Sequence, residues 1–269
     1  MVTRRAGIVR NGWLAALAVL MTTTGLGQTV RVPADQPQPR TDRNSQLAHE
    51  QLLAKRKNGR IDAYFLGDSI TRRWGALDYP ELLAHWRRRF FGWNAANFGW
   101  GGDTTQNILW RLANGELDDV HPKVVVLLAG TNNVSTADTS NAGAAAAEIT
   151  RGIDAIVTLV RAKAPRTTII LTAIFPRSDN PALMPIIDAV NRTLASTADG
   201  RSVRLLDIND RLLDGSGRLR PGMMNADGLH PALPTYEHWA DALRPLFVEL
   251  LGPPAAEDHA PPATGNPGA

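Results

Sequence analysis

The 269-residue chain contains no cysteine. Disulfides, thiolate nucleophiles, cysteine-held zinc and lipid attachment through an N-terminal cysteine are therefore excluded. It also lacks an apolar run long enough to cross a bilayer comfortably; the longest candidate, Trp13 to Met21, is too short. Nothing recurs at a fixed 20–50-residue period, which excludes a solenoid. Excess charge is missing too once the first residues are set aside. The formal +3 comes from 29 basic against 26 acidic side chains, and residues 1–27 hold three of those arginines and no acid. The remaining chain is formally neutral, so the high overall pI is no sign of a nucleic-acid partner. Its one basic cluster, "HWRRRF" at 85–90, reads as a solvated helix face.

What is present is a globular composition, 43% apolar, with distinct segments at either end. "MVTRRAGIVRNGWLAALAVLMTTTGLGQ" combines a basic start, a short apolar stretch and small residues before Gln28. Residues 1–27 therefore read as a signal peptide, with export to the periplasm or beyond and no stable membrane insertion after its removal. The alternative is an uncleaved tethering helix. Residues 28–44 read as a polar, proline-rich linker, residues 45–251 as the folded domain, and residues 252–269 as a disordered Pro/Ala/Gly tail.

Within the domain, apolar runs at 61–66, 95–98, 123–129, 167–174 and 203–208 alternate with helical patterns. The third and fourth are almost wholly apolar, as strands covered on both faces are. Ile149, Ile153, Ile156, Val157 and Val160 fall at helical spacing, as do Ile187, Val190 and Leu194. A further helix is expected from Asp103, whose "DTTQ" resembles a capping box. This alternation predicts an α/β fold, a three-layer α/β/α sandwich around a five-stranded parallel sheet. Such sheets bind ligands beyond the carboxyl ends of their strands.

Four short segments follow those strand ends. The first run stops at Gly67-Asp68-Ser69, the second at "NFGWGGDTT", and the third at "GTNN". Near the far end, "NADGLHP" sets Asp227 and His230 three apart. Each alone has a plain reading: a helix cap, a glycine turn, an asparagine turn, a surface pair or two metal ligands. Together they supply a hydroxyl, backbone and amide donors, and a carboxylate–imidazole pair that can act as a base.

In these blocks the chain resembles the SGNH, or GDSL-type, esterase and lipase superfamily. The matching segments are "GDSIT" (67–71), "NFGWGGD" (97–103), "GTNN" (130–133) and "DGLHP" (227–231), in family order over roughly residues 60–250. The stretch from Asn97 to Asn133 is most similar to the platelet-activating-factor acetylhydrolase-like branch. The resemblance implies a flavodoxin-like SGNH hydrolase fold and a carboxylic ester hydrolase that uses no metal or cofactor. It implies Ser69 as nucleophile, His230 as base and Asp227 as its orienting acid. The implied oxyanion donors are Ser69, Gly102 and Asn132. Asp68 is expected to fix the turn, while Trp74 and Trp100 are candidates to border the substrate pocket. No lid segment is visible, so a small acyl group is expected, with an acetylated carbohydrate or other small ester as partner. A broad short-chain esterase or a lysophospholipase-like enzyme is the alternative. The non-catalytic alternatives are a carbohydrate-binding relative and a flavodoxin-like phosphate binder, the latter of which would leave Asp227 and His230 without a purpose. Oligomeric state has no signature in the sequence.

Overall fold

Each of the five apolar runs carries a strand in the computed structural model, which describes residues 31–268. The strands are β1 (Ala63–Gly67), β2 (Ala95–Asn97), β3 (Val124–Leu128), β4 (Thr168–Thr172) and β5 (Val203–Leu206). All pair in parallel, in the order β2-β1-β3-β4-β5. The chain thus enters the sheet at β1, adds β2 on one side, then crosses to build β3 to β5 on the other. The reversal puts a crevice at the carboxyl ends of β1 and β3.

Helix α1 (Arg43–Lys55) precedes β1. α2 (Ser69–Gly75) and α3 (Pro80–Phe90) follow it, and α4 (Thr105–Arg111) follows β2. α5 (Thr131–Ser135) and α6 (Ala142–Lys163) follow β3, and α7 (Met184–Thr197) follows β4. α8 (Asn209–Leu212) and α9 (Leu233–Leu251) close the chain after β5.

Alternation along each strand divides the core in two. Val125 and Leu127 of β3 face one cluster, with Ile149, Ile153, Ile156 and Val160 of α6 and Ile187, Val190 and Leu194 of α7. Val124, Val126 and Leu128 face the other, with α2, α3 and α9. Full burial of each such aliphatic side chain contributes about 1.5–3 kcal/mol. The arginines of "HWRRRF" stay at the α3 surface while His85, Trp86 and Phe90 turn inward, as amphipathic spacing requires.

Both flanking segments differ from their sequence reading. The expected linker is pinned over residues 32–40: Gln106 Nε2 donates to Val32 O at 3.0 Å, Thr105 Oγ1 to Ala34 O at 2.8 Å, and Asn107 Nδ2 to Gln38 O at 2.9 Å. The expected disordered tail is also fixed. Ala255 N donates to Gly92 O at 2.9 Å, His259 N to Asn94 Oδ1 at 2.7 Å, and Leu77 N to Thr264 O at 3.2 Å. Composition misleads in both cases because the partners are polar groups of the domain, which satisfy the segments' own backbone. The signal-peptide expectation falls on residues outside those described. Among the described residues, no helix is long and apolar enough to cross a membrane.

Candidate active site

Gly67 ends β1 so close to Leu128 O and Thr71 that a β-carbon would collide with both. This tight exit lets the chain turn at once into α2. Asp68 is the N-cap, fully buried, and its Oδ1 accepts from Ile70 N at 2.9 Å. Burial raises its carboxyl to about 7, against the pull of that N–H. Asp68 is thus a cap, and the half-buried Ser69 stands at the first turn of α2 with its hydroxyl toward the crevice.

That hydroxyl meets His230. Nε2 of the imidazole lies 2.9 Å from Ser69 Oγ, and Nδ1 lies 2.8 Å from Asp227 Oδ2. The other carboxylate oxygen, Oδ1, accepts from the backbone N–H groups of Leu229 and His230 at 3.0 and 2.8 Å. Gly228, at φ +65°, makes this turn possible, and its carbonyl accepts from Ser178 N at 2.8 Å. Tyr236 ties the start of α9 to α2 by donating to Ile70 O at 2.8 Å.

The charge states suit proton transfer. Partial desolvation works against the Asp227 carboxylate, yet the His230 and Leu229 N–H groups and the imidazole hold it at about 2. Desolvation pushes His230 below the usual 6.5, helped by Arg73 and opposed by Asp227. At neutral pH the pair is carboxylate and neutral imidazole, with Nε2 free to accept from Ser69.

The oxyanion candidates converge on the same end of the sheet. Asn132, at the start of α5, donates through Nδ2 to Asp103 O at 2.8 Å, which sets its amide against the loop carrying Gly102. That amide has a second N–H. Gly102 is exposed and sits at φ +77°, a region that side chains disfavour. The structure therefore brings Ser69, Asp227 and His230 into one chain of hydrogen bonds, and holds Asn132 against the residue that follows Gly102.

Trp74 and Trp100 are not part of it. Trp74 is fully buried, its Nε1 donates to His85 Nδ1 at 2.9 Å, and it packs on Phe90, Tyr236 and Trp239. Trp100 is 7% exposed and donates to Ser45 Oγ at 2.9 Å. Both indoles bury too much apolar area, with N–H groups satisfied inside, to line an open pocket. The α4 cap also shifts by one residue. Thr104 is the cap, its N–H donating to Asn107 Oδ1 at 3.0 Å, because Asp103 is drawn inward.

Asp103 belongs to a buried charge network beneath the loops that sequence reasoning missed. Arg111 Nε donates to Asp103 Oδ2 at 2.7 Å and Nη1 to Glu116 and to Phe98 O, the latter at 3.0 Å. Glu116 in turn accepts from His49 Nδ1 at 3.0 Å. Burial raises Asp103 to about 6 in spite of Arg111. Glu116, though equally buried, is held below its usual range by Arg111 and His49. The only available signal was an arginine at helical spacing from an acid, which surface pairs share.

Comparison with known proteins identifies the family and the fold. The family model described as "GDSL-like Lipase/Acylhydrolase family" matches residues 65–238. Human platelet-activating factor acetylhydrolase IB subunit alpha2 is 34% identical over 205 residues, 76% of this chain and 83% of its own. The bovine alpha1 subunit is 32% identical over 235 residues, 85% and 95% of the two chains. Among solved structures, a GDSL-like lipase from Bacteroides thetaiotaomicron superimposes with a TM-score of 0.56 at 19% identity, covering 75% of this chain and 97% of its own. A carbohydrate esterase family 3 structure from Talaromyces cellulolyticus gives 0.51 at 19% identity, covering 71% and 98%. At such identities the two structures share the fold.

Proposed function

Because this chain belongs to the GDSL-like lipase/acylhydrolase family and is a carboxylic ester hydrolase, we propose that Ser69, His230 and Asp227 cleave small acyl esters through an acyl-enzyme. The observation that carries the proposal is the continuous series Ser69 Oγ, His230, Asp227, with contacts of 2.9 and 2.8 Å. His230 takes the hydroxyl proton as Oγ attacks the ester carbonyl, and Asp227 stabilises the imidazolium. The tetrahedral oxyanion is held by the N–H groups of Ser69 and Gly102 and the free N–H of Asn132. Loss of one such donor costs about 3–4 kcal/mol of transition-state stabilisation. His230 returns the proton to the leaving alcohol, then activates the water that releases the acid.

The base must be neutral, which fixes the pH dependence. Burial lowers His230, so kcat/KM should rise with pH through a midpoint below 6.5 and be level at neutrality. A flat profile between about pH 5 and 8 would remove His230 from this role.

We place the acetyl group first among acyl groups and an acetylated carbohydrate first among substrates, in an exported enzyme. The absence of an apolar lid in the sequence supports a small acyl group, and the N-terminal pattern supports export. The relatives' name, acetylhydrolase, also favours acetyl, and it favours a second reading in which the alcohol is a phospholipid. The test is a panel of p-nitrophenyl esters of increasing chain length beside acetylated xylan, acetylated sugars and lysophospholipids. It should use protein recovered from its native cells, whose mass reports removal of residues 1–27. Acetate should exceed octanoate by at least about tenfold in kcat/KM. Preference for the longest chain would sink the small-acyl reading, and an intact N-terminus would sink removal of residues 1–27 as a signal peptide.

A further inference from the structure

The peptide joining Gly101 to Gly102 carries both the Gly101 carbonyl and the Gly102 N–H, pointing in opposite directions from one rigid plane. A group that fixes the carbonyl therefore aims the N–H. Arg40 does this: its Nη1 donates to Gly101 O at 3.0 Å, and the same nitrogen lies 3.6 Å from Asp103 Oδ1, a buried oxygen with no hydrogen bond of its own. The guanidinium sits close over Gly102, where a β-carbon would come within 3.0 Å of Nη1.

The peptide needs such a restraint. Glycine on both sides removes the steric barriers that hold other peptides in one orientation. Gly101 has open space around it. Arg40 itself is held by Asp42, whose Oδ2 accepts from Nε at 3.0 Å. Its segment is anchored on α4 by Gln38 N donating to Gln106 O at 3.0 Å. We infer that Arg40, reaching in from the segment ahead of the first helix, is a positioning residue that orients the Gly101–Gly102 peptide for oxyanion binding. It also polarises that peptide, since a charged donor on the carbonyl strengthens the N–H at the other end.

The inference rests on the reading of Gly102 as an oxyanion donor. It predicts that Arg40→Met lowers kcat for p-nitrophenyl acetate by about tenfold or more with KM within about twofold, because the interaction serves the transition state. Hydrogen exchange over residues 32–40, followed by mass spectrometry, reports whether the segment stays seated. A fall in kcat with that protection intact supports the role. Unchanged kcat, or a fall that accompanies loss of protection, overturns it. Ser69→Ala, run in parallel, separates the two levels. If it is inactive while Arg40→Met is fully active, only Arg40 loses its role. If it retains turnover, the acyl-enzyme reading falls first.

Discussion

Ser69→Ala should lower kcat/KM for p-nitrophenyl acetate by about 10⁴-fold or more, since a nucleophile that acts as a unit with its base leaves little behind when removed. The residual rate would come from the oxyanion donors and from binding. Stability should hardly move. Ser69 is half-buried, its hydroxyl has one partner, and the N-cap bond from Ile70 N to Asp68 is untouched. Melting temperatures of the two proteins should agree within about 2 °C, as expected for a substitution clear of the core. Appreciable turnover in a variant of unchanged stability would move the nucleophile elsewhere.

Arg111→Met carries the largest expected cost in stability. The arginine side chain is 5% exposed and stands between two carboxylates with no exposure at all, Asp103 and Glu116. Removing it leaves Glu116 only His49 and Asp103 only the more distant Arg40, and breaking a buried pair in this way costs about 3–5 kcal/mol. For a domain of this size that is a fall of roughly 6–20 °C in melting temperature. Activity should fall as well, since Arg111 also holds the Phe98 carbonyl and lies under the loop that bears Gly102. Lysine should not restore either property, because one ammonium cannot replace a planar fork serving Asp103, Glu116 and Phe98. A melting temperature within 2 °C of the parent would show that the network adds nothing net to stability.

The parts of this architecture that repeat in sequence were readable. β3 and β4 are nearly unbroken apolar runs, and α6 and α7 keep helical spacing, so the sheet and its cover follow from periodicity. The candidate site was readable in part because Ser69, Gly102 and Asn132 follow the ends of β1, β2 and β3, while Asp227 and His230, in the loop before α9, showed only through their spacing. Arg40 and the Asp103–Arg111–Glu116–His49 network were not readable. Their meaning lies in which carbonyl or carboxylate a long side chain reaches, and spacing along the chain does not encode that. Trp74 misled for a related reason: nearness to Ser69 in sequence says nothing about the face of α2 on which a side chain stands. Asp103 misled by one residue, because an acid before a helix can cap it or turn inward.

The tail has a consequence for the sheet's open border. β2 is a border strand of three residues. Ala260, Pro261, Pro262 and Ala263 line a cleft of about 430 Å³ together with Ala95, Ala96 and Asn97. A border strand invites another chain to pair with it, and proteins commonly blunt that invitation with a covering loop or with proline. Proline has no N–H to donate, so this segment lies beside β2 without becoming a sixth strand, and it offers newcomers a poor template in its turn. The composition that reads as disorder is that of a segment which runs along the sheet's border without extending it.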